Sequence, residues 1–137
     1  MGTTVIQARA KIKLDAKKVM AAAKRGNITS LGHAAGAIRL AARHSIKKSP
    51  KKSPAGTPPN TRKGRLRGAI KYAVSKSPPS AVIGPDAANA GTSGKAHEFG
   101  GKYKRERYDR RPFMLPALEN VKPRLPKCWE NSIRTTH

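Results

Sequence analysis

Residues 69–84, AIKYAVSKSPPSAVIG, decide the fold class of this chain of 137 residues. Ile70, Tyr72 and Val74 alternate with polar or small residues, a period of two that is typical of a half-buried strand. A Ser-Pro-Pro turn then leads into a second apolar run that ends at Gly84. The segment therefore predicts an antiparallel hairpin, and with it a β component in the fold.

The N-terminal third predicts one strand and two helices. Residues 6–14 alternate between apolar and polar side chains, which indicates a further strand. Asp15 occupies the position of a helix N-cap, so residues 16–25 predict a helix that ends at the Gly-Asn pair of residues 26–27. A second helix is predicted over residues 29–46, because Leu, Ala and Ile recur there at helical spacing.

The C-terminal region predicts one more helix. Pro116 suits its first turn, and apolar residues continue at helical spacing as far as Ile133. Pro123 and Pro126 interrupt the pattern, so this helix should be kinked or split there. Taken together, the elements predict an α+β fold in which residues 1–137 form one domain. A small antiparallel sheet packs against two or three helices, and a long basic, proline-rich loop lies between them.

That loop spans residues 47–64, and its four prolines and scarce apolar groups predict an extended segment outside the core. It lies in an interval between Asp15 and Asp86 that has no acidic residue, in a chain with 30 Lys and Arg against 7 Asp and Glu and a net charge of +23. Its Ser-Pro-Lys-Lys stretch resembles the repeats of linker-histone tails. We expect contact with DNA or with an acidic partner, although a merely solvated loop explains the same pattern. The predicted contact residues are Lys47, Lys48, Lys51, Lys52, Arg62, Lys63, Arg65 and Arg67.

Several functional classes are not expected from this sequence. No run of about 18 apolar residues occurs, so we expect no membrane partner. The N-terminus does not have the pattern of a secretory signal, and the single cysteine, Cys128, fits a reducing cytoplasm. The four histidines lack metal-binding spacing, and no phosphate-binding loop or nucleophile motif is present. The sequence therefore predicts no catalytic site, no metal site and no cofactor.

Two short motifs lie in the last third of the chain, AHEFGG at residues 96–101 and RPFMLPALE at residues 111–119. The two glycines of the first motif permit a turn with positive φ after Phe99. The prolines of the second motif fix the chain direction, so that Phe113 and Leu118 are expected to enter one core. Core packing is also one interpretation of Phe99, and contact with a neighbouring subunit is the other.

These motifs resemble the signature of the tail-component and tail-completion proteins of long-tailed double-stranded-DNA phages, in which an hEFG turn precedes an RPFLRPAL helix start. Residues 53–70 are also similar to a proline-containing segment of that family. The chain departs from the family at Met114 and Leu115, where Leu-Arg is usual, and at the two prolines that break the last helix. The resemblance implies a structural, non-enzymatic virion protein that is made in the host cytoplasm and acts at the neck or tail top.

The resemblance further implies self-association into a ring, typically of six copies, between the head connector or stopper protein and the tail terminator or tail-tube protein. We expect the basic loop mainly to dock on acidic surfaces of these neighbours, with non-specific contact to double-stranded DNA as a secondary use. The alternative is a sequence-independent nucleic-acid-binding protein of the nucleoid or ribosome-associated type. The predicted subunit or ring interface comprises Glu98, Phe99, Lys102, Tyr103, Arg105, Arg107, Arg110 and Arg111.

Overall fold

A computed structural model describes residues 2–90 and 93–133 and confirms the α+β class. Over these residues the helices are α1 (Gly2–Ser45), α2 (Arg65–Ala69), α3 (Ala87–Ala90), α4 (Ser93–Phe99), α5 (Met114–Val121) and a 3-10 helix (Lys122–Trp129). The strands are β1 (Lys47–Lys48), β2 (Asn60–Thr61), β3 (Ile70–Lys76), β4 (Pro79–Pro85), β5 (Gly101–Tyr103) and β6 (Glu106–Tyr108).

The strands pair in twos. β3 and β4 form the predicted antiparallel hairpin, with Ile70 opposite Pro85 at its base and Lys76 opposite Pro79 at its tip. β5 and β6 form a second, shorter antiparallel hairpin, and β1 pairs with β2 in parallel. The prediction of a split C-terminal helix is also confirmed, because α5 ends at Val121 and the chain continues in the tighter 3-10 form.

The core lies between the C-terminal half of α1, the base of the β3–β4 hairpin and α5. Phe113 is its largest fully buried side chain and begins an i, i+4, i+8 series with Ala117 and Val121 that faces α1. Leu118 was expected in this core, and that prediction is wrong, since the side chain is 39% exposed. It follows Ala117 by about 100° around the helix and so lies beside the buried stripe. The core side chains are Ile38, Ala42, Ile46, Leu66, Ile70, Phe113, Ala117 and Val121.

The sequence prediction for the N-terminal third is wrong in two places. Residues 6–14 are helical and not a strand, so that Asp15 lies inside α1 and is not its N-cap, and α1 continues through residues 26–27 without a break. The first region is rich in Ala, Lys, Arg and Leu, which are strong helix formers, and a helix satisfies its own backbone hydrogen bonds without a partner strand.

The Gly-Asn pair lies within the helix for tertiary reasons. A Cβ at Gly26 would collide with the backbone carbonyl of Ser132, so only glycine lets the C-terminal segment approach this closely. Asn27 accepts a hydrogen bond on its Oδ1 from Trp129 Nε1 at 3.0 Å. Gly26 and Asn27 thus serve contacts with the C-terminal segment, although the two residue types by themselves indicate the end of a helix.

Candidate functional site

Glu98 joins the two sequence motifs. Its side chain is buried, and its carboxylate accepts hydrogen bonds from three successive backbone N–H groups at the start of α5. Phe113 N and Met114 N donate to Oε2 at 2.8 and 2.9 Å, and Leu115 N donates to Oε1 at 3.0 Å. The first N–H groups of a helix have no partner within it, and a negative charge there also suits the helix dipole. The glutamate of the first motif thus caps the helix of the second.

The turn after α4 directs the chain toward this arrangement. Gly100 and Gly101 have φ values of 74° and 125°, which confirms the predicted positive-φ turn. The β5–β6 hairpin then reverses the chain, and Arg111 N donates to the carbonyl of His97 at 2.6 Å. Residues 96–101 and 111–119 are therefore brought together by the polar segment that separates them in the sequence.

An open apolar groove of about 550 Å³ lies against this junction. Phe99 lines it and is 71% exposed, so its interpretation as a core residue is wrong. Leu115 and Leu118 line the same groove from α5 and are also exposed. The cap therefore orders a helix whose inner side is in the core and whose outer side adds apolar surface to a groove.

The basic loop is closed on itself and does not run extended throughout. The β1–β2 pairing brings Lys47 opposite Asn60, and Asn60 Nδ2 donates to the carbonyl of Lys51 at 2.9 Å. Pro59 is fully buried, which fixes the returning limb of the loop against the rest of the protein. This closure could not be predicted from the sequence, because a two-residue parallel pairing leaves no periodic signal.

Two hydrogen bonds fasten the loop to the segment after β6. Gly56 N donates to the carbonyl of Arg110 at 2.8 Å, and Arg111 Nε donates to the carbonyl of Ser53 at 2.8 Å. The structure thus places the loop beside Arg110 and Arg111 of the predicted subunit or ring interface. Nothing in the sequence indicates that the loop and these residues are in contact.

The eight residues that the sequence predicts to contact DNA or an acidic partner, here called the basic region, are all exposed. The two ion pairs found over residues 17–88 and 93–133 join Lys71 to Asp86 and Arg111 to Asp109, so neither involves one of the eight. Arg65 and Arg67 lie on α2, whereas the lysines of residues 47–52 lie on the outgoing limb of the loop. The region therefore presents unneutralised positive charge on two neighbouring elements.

The predicted interface residues are divided between four environments. Glu98 is occupied inside the chain as the helix cap, and Phe99 lies in the apolar groove together with Arg110, whose Nε also approaches the carbonyl of Glu98 at 3.3 Å. Arg111 is largely buried under the basic loop. The other four lie on or beside the β5–β6 hairpin: Lys102, Tyr103, Arg105 and Arg107.

His97 lies where α4, the basic loop and β6 meet. Its ring packs edge-on against Tyr108 with 5.1 Å between centroids, and its Nδ1 is buried without a hydrogen-bond partner in the described part of the chain. Burial, and then the positive charge of Arg111, lower the pKa of His97 below its ordinary value of 6.5. Burial, and then the charge of Glu106, raise the pKa of Tyr108 above 10.0. His97 is thus neutral near pH 7.

Comparisons with protein-family models, curated proteins and solved structures found no match to this chain. Within residues 17–88 and 93–133, no three His, Cys, Asp or Glu residues are grouped so that they could hold a metal ion. None of the helices in the same ranges is long and apolar enough to cross a membrane.

Proposed function

We propose that this chain is a structural virion protein of a phage neck or tail top. It forms a ring that joins the head connector or stopper protein to the tail terminator or tail tube. The resemblance to the phage tail-completion proteins implies six copies in this ring. The main support is the capping of α5 by Glu98, because it makes the HEFG and RPFMLPALE motifs one structural unit. The two motifs that carry the resemblance thus meet at one place in the fold, and this supports the proposal.

The groove beside the cap supports an assembly role. Monomeric proteins rarely leave large apolar side chains clustered in a concave surface, and such a surface usually marks an interface. Phe99 is exposed and yet adjacent to the buried cap, so its position is fixed by the fold while its ring is free to contact a neighbour. Aromatic side chains held in this way are frequent anchors of protein–protein interfaces.

The test compares assembly of the wild type with a matched pair of variants. Phe99→Ser removes an exposed apolar side chain from the groove, and Val82→Ser removes one that is 73% exposed on β4 and does not line the groove. Sedimentation and negative-stain imaging, alone and with connector and tail-tube proteins, should show rings for the wild type and for Val82→Ser. Phe99→Ser should need about tenfold more protein to assemble, as expected on loss of an interface anchor.

Equal assembly of both variants, or a wild type that stays monomeric beside connector and tail-tube proteins, would contradict the proposal. Circular dichroism of each variant checks that the fold is retained. The genes on either side give an independent test, since they should encode capsid, connector and tail-tube proteins.

A sequence-independent nucleic-acid binder is the second candidate, and the exposed, unneutralised cations of the basic region favour it. If all eight contacted phosphates, the slope of log K against log salt would approach about −7. Tight, salt-dependent binding of short duplex DNA by the isolated chain would support this candidate. Weak DNA binding together with ring assembly would support the neck protein.

A further inference from the structure

A small pocket lies where the basic loop meets α4 and β6. Its volume of about 110 Å³ exceeds the space that one water molecule needs, so a polyatomic ion can enter it. Ser53 lines it from the loop, His97 lines it from α4, and Arg111 lines it from the segment after β6. Three separate parts of the chain thus converge on one concave surface.

The pocket contains unused hydrogen-bonding atoms. Three buried side-chain nitrogen or oxygen atoms lack a partner over residues 17–88 and 93–133, and two of them, Ser53 Oγ and His97 Nδ1, belong to residues that line this pocket. A buried polar atom without a partner is costly, so two in one small space point to a ligand that satisfies both.

Hydrogen bonds to their carbonyls hold the two residues that carry these atoms. The carbonyl of Ser53 accepts from Arg111 Nε, and the carbonyl of His97 accepts from Arg111 N. The main chain around both side chains is therefore fixed, while Ser53 Oγ and His97 Nδ1 take no part in the hydrogen bonds of the fold.

The charges around the pocket favour an anion. Its lining includes Lys52, Arg107 and Arg111 against Glu106 and Asp109, a balance of three positive and two negative groups. The side chain of Arg111 is only 12% exposed, and its Nε donates to the carbonyl of Ser53 in the loop. Asp109 is 75% exposed, and its carboxylate lies 4.0 Å from Arg111 Nη2. The guanidinium therefore keeps N–H donors for a ligand, and its planar fork matches the oxygens of a phosphate.

We propose that this pocket binds a phosphate group, with Arg111 as the charged donor, Ser53 Oγ as a hydroxyl donor and His97 Nδ1 as the third contact. This site is additional to the assembly role and does not depend on it. The phosphate can belong to a free anion or to a nucleic-acid backbone that crosses the basic loop, because both present the same oxygens. An anion in the pocket also favours protonation of His97, as do the nearby carboxylates of Glu106 and Asp109. The positive charges of Lys52, Arg107 and Arg111 oppose that protonation.

The test measures binding of inorganic phosphate to the full chain by calorimetry and by the NMR signals of the His97 ring. Sodium chloride keeps the ionic strength constant. Ser53→Ala removes one donor without removing any hydrogen bond of the fold, and it should weaken phosphate binding about tenfold. Ser75→Ala, the same change at an exposed position on β3, should leave the affinity unchanged. Arg111→Lys, which keeps the charge but loses the fork, should also weaken binding.

Phosphate binding that is equal in wild type and Ser53→Ala would overturn the proposal, because it would reflect only the net charge of +23. Unchanged His97 signals at saturating phosphate would overturn it too. A short DNA duplex then identifies the source of the phosphate. A duplex that displaces inorganic phosphate and binds Ser53→Ala more weakly supports a nucleic-acid ligand, and a duplex that does not compete supports a free anion. Phosphate should also raise the thermal stability of the wild type more than that of Ser53→Ala, and equal gains would count against the site.

Discussion

Glu98→Gln is the substitution that tests the structural argument most directly. Three backbone N–H groups donate to the carboxylate, two of them to Oε2 and one to Oε1. Glutamine has nearly the same shape but keeps only one acceptor oxygen, and its NH₂ group is a donor. If the amide oxygen takes the place of Oε2, the NH₂ group faces the N–H of Leu115, and two donors then oppose each other.

The expected loss follows from these contacts. A hydrogen bond to a charged group contributes about 1.5–3 kcal/mol, and a buried donor left without a partner costs about 1–3 kcal/mol. Removal of the negative charge from the start of α5 costs about 0.3–1 kcal/mol more. We therefore expect Glu98→Gln to lower the free energy of unfolding by about 3 kcal/mol. That is a large part of the roughly 5–15 kcal/mol that stabilises a typical domain.

Urea unfolding, followed by circular dichroism and by the fluorescence of Trp129, measures this loss. With an m value of about 1–3 kcal/mol per M, the midpoint should fall by about 1–3 M while m stays unchanged. Glu119→Gln is the matched control, since it removes the same charge from an exposed position on α5 and should change stability by less than about 0.5 kcal/mol. Equal midpoints for the two variants would show that the cap contributes little and would refute the reasoning.

Two further predictions concern α1 and His97. Gly32→Ala should stabilise the protein by about 0.8–1 kcal/mol, because an added Cβ meets open space and alanine is the better helix former, whereas Gly26→Ala should destabilise it through collision with Ser132. Thermal unfolding of the two variants should show shifts of opposite sign, and shifts of equal sign would mean that the C-terminal segment does not pack on α1 as described. His97 has a lowered pKa in the folded state, so its stabilising effect should be full above about pH 6.5 and should decline as the pH falls from there toward the folded-state pKa. Unfolding of wild type and His97→Gln in chloride buffers checks this, and a stability difference that stays constant between about pH 8 and pH 5 would contradict it.

The parts of the fold that depend on local pattern could be predicted from the sequence. In the β3–β4 hairpin the first strand alternates and a proline turn follows it, and the end of α5 is set by Pro123, which has no N–H to continue the helix. The continuity of α1 could not be predicted, because Gly26 and Asn27 are helix-breaking types when only neighbours are considered. Their contacts with Ser132 and Trp129, more than 100 residues along the chain, decide their conformation.

The candidate site was only partly visible in the sequence for the same reason. The motifs were found because their residue types are unusual, but the role of Glu98 depends on N–H groups 15 to 17 residues away. The phosphate pocket was missed altogether, since Ser53 and Arg111 are separated by 58 residues and Ser53 is an ordinary loop residue by type. A hydroxyl becomes notable only when its environment leaves it buried without a partner.

The segment between the two motifs explains why groove and pocket lie next to each other. The β5–β6 hairpin returns the chain to α4, so that residues 97 and 98 meet residues 110 and 111. His97 and Arg111 line the phosphate pocket. Their chain neighbours Glu98 and Arg110 line the apolar groove. Because neighbouring residues of the same two backbone segments serve both surfaces, the spacing of the motifs is set by the hairpin that joins them. A longer or shorter hairpin would displace the Glu98 cap and the Arg111 donor together.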